Sequence, residues 1–170
     1  MEEVTVKVKD SVLQQAAMEG IDTFLDAFVK AINDAIGGQL TAENMGALTT
    51  EQLTLLAWDI LHREVMDGGF VQLIYNGYGP FIFANPLAKV LKMWGLRDLS
   101  KLVYDGHTLW LKYREQIERE LSDEEFMALF EQLPEFDDLD DQFVDHEEEW
   151  TEQIAQYVDD HIEDFVVIEE

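Results

Sequence analysis

The amino-acid sequence predicts an all-α protein: a multi-helix bundle in a single domain over residues 1–170, with a short extended N-terminal arm. Three observations predict it. Apolar residues recur at three- and four-residue spacing through most of the chain. Helix-start and helix-stop signals punctuate it repeatedly. Alternation of period two is confined to one short stretch. The chain has 170 residues, 47% of them hydrophobic and 11% aromatic. That is enough to bury a full core, so disorder is not expected.

Val4, Val6 and Val8 alternate with Thr5, Lys7 and Lys9, and this is the extended arm, with no clear second strand to pair with. Asp10 or Ser11 then caps a long helix to about Ile36, ended by Gly37-Gly38. Its apolar set, at helical spacing, is Leu13, Ala17, Ile21, Phe24, Leu25, Phe28, Ile32 and Ile36. Gly20 costs about 1 kcal/mol relative to alanine and marks a place for a bend or break. Gln39 to Leu48 reads as a connection. Thr49 with Gln52 forms a capping box that starts a helix to Met66, and Gly68-Gly69 breaks it. Phe70 to Tyr75 is one further apolar turn, closed by Asn76-Gly77 and Gly79-Pro80.

Asn85-Pro86 opens the next helix, with asparagine as cap and proline at the first helical position, and Gly95 ends it. Asp98 or Ser100 caps a longer helix to Leu121, with Leu102, Val103, Leu109, Trp110, Tyr113 and Ile117 inward. Ser122 and Glu125 make a second capping box, and Pro134 stops that element. Phe136 to Phe143 is a short acidic helix or turn. A last helix runs from about Asp145 to Phe165, with Trp150, Ile154, Tyr157, Val158, His161 and Phe165 on one stripe. Trp58, Trp94, Trp110 and Trp150 all fall at core spacings.

The charge is as informative as the periodicity. Net charge is −26, and its distribution is uneven: 23 acids stand against one base, Arg119, from Glu115 onward. Residues 1–114 hold 14 acids and 10 bases. Such a surface repels nucleic acid and anionic membrane and attracts basic protein faces. No apolar run approaches the roughly 20 residues that span a bilayer. The opening Met1-Glu2-Glu3-Val4 lacks the basic-then-apolar order of a secretory signal, so the expected location is cytoplasmic. With no cysteine, disulfides and thiolate chemistry are excluded.

Several ordered motifs in the middle and the tail resemble a known family. Gly68-Gly69-Phe70-x-Gln72 leads to Asn76-Gly77-x-Gly79 and a Trp94-Gly95-Leu96 helix end. Leu139-Asp140-x-x-Phe143 and a final helix containing Tyr157 follow much later. This order is similar to the DNA-mimic protein family of small acidic helical bacterial proteins, over roughly residues 53–165. The resemblance implies an all-helical fold and no catalysis, and no cofactor is expected. It also implies a homodimer whose negative surface imitates duplex DNA and occupies the DNA-binding face of a basic partner such as a transcription regulator. The motif residues themselves read as turn and core formers, with Gly68, Gly69 and Gly77 at backbone positions that need positive φ or close approach.

The candidate partner-binding residues are Asp137, Asp138, Asp140, Asp141, Asp145, Glu148, Glu149, Glu152, Asp159, Asp160 and Glu163. Asp145 to Asp164 holds nine carboxylates in 20 residues, or one charge per ~3.3 Å of helix axis. A DNA strand carries one phosphate per ~3.4 Å. The bland reading is a solvated face that keeps the protein soluble. Against it, Glu148–Glu152, Asp159–Glu163 and Asp160–Asp164 are like-charge i,i+4 pairs, each costing roughly 0.2–0.5 kcal/mol, and no cation is interleaved. The alternative function is an acidic interaction or structural domain whose partner does not bind DNA.

Other chemistries fit poorly. With Asp138 taken as position 1, Asp140, Gln142 and Glu149 fall at calcium-loop positions, but Phe143 occupies the place of the required glycine. His146-Glu147 has Trp150 where a zinc motif needs its second histidine. No G-x-S-x-G elbow occurs, and the glycine pairs lack a phosphate-loop lysine. No catalytic or metal-binding residue is assigned. The aromatic run Tyr75, Tyr78, Phe81, Phe83 is the candidate apolar surface for self-association.

Overall fold

The computed structural model describes residues 3–170. Met1 and Glu2, part of the opening stretch read against a secretory signal, lie outside them. The order is β1 (Lys7–Lys9), α1 (Asp10–Glu19), α2 (Ile21–Ala35), a 3-10 turn (Met45–Ala47), α3 (Thr50–Tyr75), α4 (Gly79–Phe83), α5 (Leu87–Met93), α6 (Arg97–Ile117), α7 (Asp123–Gln132), α8 (Glu135–Asp160), a second 3-10 turn (Ile162–Asp164) and β2 (Val167–Glu169). The expected all-α class is what the structure has, with one two-stranded ribbon added among the described residues. The chain groups into two compact units, one of Met1–Leu56 with Thr151–Glu170 and one of Ala57–Trp150.

In the first unit the extended arm does find a partner. β1 pairs in parallel with β2, Val8 opposite Ile168. The pairing joins the two ends of the sequence, which no local pattern signals. The long helix expected to Ile36 is two helices, because Gly20 adopts φ 140, ψ 171, a left-handed-side conformation open to glycine and strained for other residues. Neither Asp10 nor Ser11 caps it. Lys9 occupies the cap position with no side-chain bond, and the Asp10 carboxylate instead accepts from Gln14 Nε2 at 2.6 Å.

Asn44 organises the Gln39–Leu48 connection. Its Nδ2 donates to the Ile36 and Gln39 carbonyls, and its Oδ1 accepts the Thr41 N–H. The Thr49–Gln52 capping box forms with both reciprocal bonds. Gln52 Nε2 also donates to the Phe165 carbonyl at 2.8 Å. Phe28, Ile32, Leu55, Ile154, Val158 and Phe165 are fully buried around this point, and the Phe28 and Phe165 rings meet edge to face.

In the second unit α3 breaks where expected. Gly69 leaves helical geometry at φ 78, ψ −176, and the helix restarts at Phe70. A restarting helix has leading N–H groups with no intrahelical acceptor. The Phe70 N–H is donated to Asp140 Oδ1 at 2.8 Å, so an aspartate from α8 caps a break seventy residues earlier. The Gly68-Gly69-Phe70-x-Gln72 and Leu139-Asp140-x-x-Phe143 motifs of the family resemblance therefore meet physically. Gln72 folds back over Gly68, where a Cβ would collide with it, and donates to Glu64 and Asp67. Asn76 Nδ2 also reaches Glu64. Phe143 packs on Trp58 and Trp150, and all four tryptophans are buried as expected.

Two further expected starts and one expected stop are corrected. Leu87–Met93 has Pro86 at its cap position, and Asn85 Nδ2 turns back to the Phe81 carbonyl. Arg97–Ile117 is capped by neither Asp98 nor Ser100. Ser100 is buried and its Oγ donates to the Ala88 carbonyl at 2.6 Å, tying α6 to α5. Gly79-Pro80 opens a further short helix, α4, rather than closing a turn. The aromatic run expected at the surface is packed. Phe83 is buried against Trp110 and Phe70, Tyr75 donates to the Leu121 carbonyl, and Tyr78 and Phe81 are half-buried. The second capping box, Ser122–Glu125, forms as expected.

Candidate partner-binding face

The two acidic segments separated in the sequence reading, Phe136–Phe143 and Asp145–Phe165, are one helix from Glu135 to Asp160. Pro134 precedes it, and Glu135, Asp137 and Asp138 occupy its first turn, where carboxylates complement the helix dipole. In the second unit its buried stripe is Phe136, Leu139, Phe143 and Trp150. Those spacings of three, four and seven turn the intervening acids outward, and Asp137, Asp138, Asp141, Asp145, Glu148 and Glu149 are all exposed.

Asp140 is the residue of the predicted set that the fold turns inward. It is half-buried and held to the Phe70 N–H. Burial, which penalises the charged form, raises its pKa to about 6, with Asp137 and Asp141 pushing the same way and the Phe70 bond opposing. Glu147, next to the predicted set, is likewise half-buried and lies 2.8 Å from His62 Nε2.

In the first unit Ile154, Ala155 and Val158 are buried, while Glu152, Asp159 and Asp160 are exposed. Asp160 accepts from Gln156. Helix α8 stops at Asp160, so Glu163 stands on the following 3-10 turn, exposed, and the like-charge pairs expected at Asp159–Glu163 and Asp160–Asp164 are not on a continuous helix. His161 and Phe165 also fall beyond the helix. His161 Nδ1 donates to the Tyr157 carbonyl, and its ring stacks on Tyr157. The Tyr157 hydroxyl donates to Glu51 at 3.0 Å, and burial followed by that bond raises its pKa to about 12.

Ten of the eleven predicted carboxylates are thus solvent-facing. The ion pairs among the described residues are Lys30–Asp34, Arg63–Asp59, Lys112–Glu135 and Arg114–Glu118, and His62 Nε2 is in hydrogen-bond contact with Glu147. None involves those ten. Unpaired exposed carboxylates can accept paired hydrogen bonds from arginine much as phosphates do. Among the described residues no three histidine or acidic side chains converge to hold a metal ion, and the segment weighed as a calcium loop is helical throughout. No helix among them is long and apolar enough to cross a membrane.

Sequence reasoning missed a hollow of about 270 Å³ in the first unit. Ala17, Ile21 and Phe24 line one side of it, and Glu152, Ala155 and Asp159 line the other. The only signal for it in the sequence is Gly20.

Residues 46–161 match a family model described as DMP19-like protein. A relative, the DNA mimic protein DMP19 of Neisseria meningitidis serogroup B (strain ATCC BAA-335 / MC58), is 34% identical over 128 residues, covering 74% of this chain and 77% of the relative.

Proposed function

This chain belongs to the DMP19-like protein family, and from that premise we propose that it acts by binding rather than by catalysis, its acidic face imitating DNA phosphates and occupying the DNA-binding face of a basic partner such as a transcription regulator. The observation that carries the reading is two sets of exposed carboxylates with no ion-pair partner among the described residues: Asp137, Asp138, Asp141, Asp145, Glu148 and Glu149 in one unit, and Glu152, Asp159, Asp160 and Glu163 in the other. Like-charged neighbours on a helix cost stability, and a cationic partner recovers that cost. Lysines and arginines that otherwise meet phosphates would meet these carboxylates, with fast steering and strong salt dependence. The similarity to a protein named a DNA mimic supports the same reading. The proposal carries with it a cytoplasmic location, where a regulator meets its DNA, and a homodimeric state.

The test is capture from the host's lysate at low salt. Wild type is compared with a variant in which Glu148, Glu149, Glu152, Asp159, Asp160 and Glu163 become the corresponding amides. Six surface charge pairs at roughly 0.5 kcal/mol each sum to about a hundredfold in affinity. The expected result is a DNA-binding protein held by wild type, released by moderate salt, lost from the variant and displaced by duplex DNA. Equal recovery on both baits, or partners that do not bind DNA, would overturn the proposal.

A further inference from the structure

The hollow beside Glu152 and Asp159 has features that a merely charged surface lacks. On α8, Glu152, Ala155, Gln156 and Asp159 form one stripe at i, i+3, i+4 and i+7, all on the hollow's wall. The small Ala155 sits between two carboxylates, so there is room where a longer side chain would fill the stripe. The opposite wall is small for the same reason. Ala17 stands at the end of α1, and Gly20 makes the corner into α2 at φ 140. Nothing lies within 4 Å of the point where a Gly20 Cβ would stand, so the hollow is open at that end. Its apolar surface is accessible, with Ile21 44% exposed and Phe24 half-buried. At about 270 Å³ the hollow is smaller than the roughly 300–1,000 Å³ of small-molecule pockets and suits one long side chain.

We propose that this hollow seats a single arginine side chain of the protein partner, its methylene stem against Ala17, Ile21 and Ala155 and its guanidinium at the Glu152 or Asp159 carboxylate. The proposal rests on the reading of the acidic face given above and names the side chain that the face selects. Charge complementarity chooses the occupant. Among the described residues neither carboxylate has an ion-pair partner. An apolar floor between two acids matches a side chain with an apolar stem and a cationic head. The planar guanidinium also stacks on an aromatic face such as that of Phe24, which a hydrated ammonium does less well. A phosphate backbone offers no apolar recess, so the hollow gives this face a discrimination that duplex DNA does not have.

The test uses the full chain and two small probes, N-acetyl-arginine amide and N-acetyl-norleucine amide, in an amide-resolved NMR titration. Wild type is compared with Ala17→Phe, which fills the hollow and keeps the charges, and with the isosteric pair Glu152→Gln/Asp159→Asn, which keeps the shape. The expected result is saturable shifts from the arginine probe confined to residues 17–24 and 152–159. The Kd should rise about fivefold or more in each variant, as for one lost charge or packing interaction, and the norleucine probe should bind at least as weakly as the variants do. Non-saturating shifts spread over all the acidic positions, an unchanged Kd in Ala17→Phe, or equal binding of norleucine would overturn it. The partner plays no part in this titration. Its failure therefore leaves the reading of the face standing, and failure of the DNA competition does not account for it.

Discussion

Asp140 offers a test in which two substitutions at one position should move stability in opposite directions at neutral and alkaline pH. Its carboxylate accepts the Phe70 N–H at 2.8 Å, and its pKa is raised from 3.8 to about 6 chiefly by burial. Asp140→Ala removes the acceptor and leaves the N–H of a restarting helix unsatisfied, at a cost of about 1–3 kcal/mol. Asp140→Asn keeps a carbonyl acceptor and removes the charge. Because the folded state holds the proton more tightly than the unfolded chain, the carboxyl's contribution is fully present below pH 3.8 and lost as pH rises through about 6.

At ~1.4 kcal/mol per tenfold, the full difference is about 3 kcal/mol. Solvent reaching a half-buried group reduces it to about 1–2 kcal/mol. Asp140→Asn should therefore be more stable than wild type by about 1–2 kcal/mol at pH 8, and by about half that at pH 5. Urea denaturation of wild type, Asp140→Asn and Asp140→Ala at both pH values measures this, and comparison at each pH cancels the titration of the other acids. If the asparagine variant lost as much stability at pH 8 as the alanine variant, or if its gap to wild type did not change with pH, Asp140 would not be the titrating cap of Phe70.

Two further outcomes follow from neighbouring geometry. Gly69→Ala should cost about 2–4 kcal/mol in urea denaturation, because its backbone has φ 78 and its Cβ would fall on the Asp140 carboxylate. Gly68→Ala should cost about 1–3 kcal/mol, since the Gln72 amide can swing aside and forfeit its bonds to Glu64 and Asp67 but the Gln72 Cβ, 2.8 Å from the new methyl, is fixed by the backbone and forces it to shift. Tyr157→Phe should cost about 1 kcal/mol at pH 8 through the lost bond to Glu51. In an ultraviolet pH titration it should delete a tyrosine ionising at about 12. A phenol whose folded pKa is raised contributes stability that is present below pH 10 and lost as pH rises through 12, so the gap between variant and wild type should close in that window.

What could be read from the sequence was what neighbouring residues settle among themselves. The capping boxes at Thr49–Gln52 and Ser122–Glu125 formed as read, because each needs only a side chain and a backbone N–H three residues apart. The break at Gly69 and the corner at Gly20 were legible because few residues other than glycine tolerate those conformations. The buried stripe and acid-bearing side of α8 were legible from period and charge. Other starts failed where a nominal cap had a better partner elsewhere, as Ser100 does at the Ala88 carbonyl.

The acidic pattern was visible in the sequence, but whether each carboxylate faces solvent depends on what folds against it. Asp140 and Asp141 are adjacent acids in one predicted row. Only the approach of Gly69-Phe70 makes the first a buried cap and leaves the second in water. The partner of β1 lies 160 positions away, and the hollow beside Glu152 exists because Ala17 and Gly20 come to face Ala155. Composition, period and capping chemistry act within a few residues, and so the sequence by itself determined the all-α class, the breaks at Gly20 and Gly69 and the sign of the surface, while it divided α8 in two and took the start of α4 for a closing turn. Pairings between distant segments depend on how the folded chain excludes water and satisfies its buried donors. Only the tertiary structure decided which acids cap the fold and which face solvent.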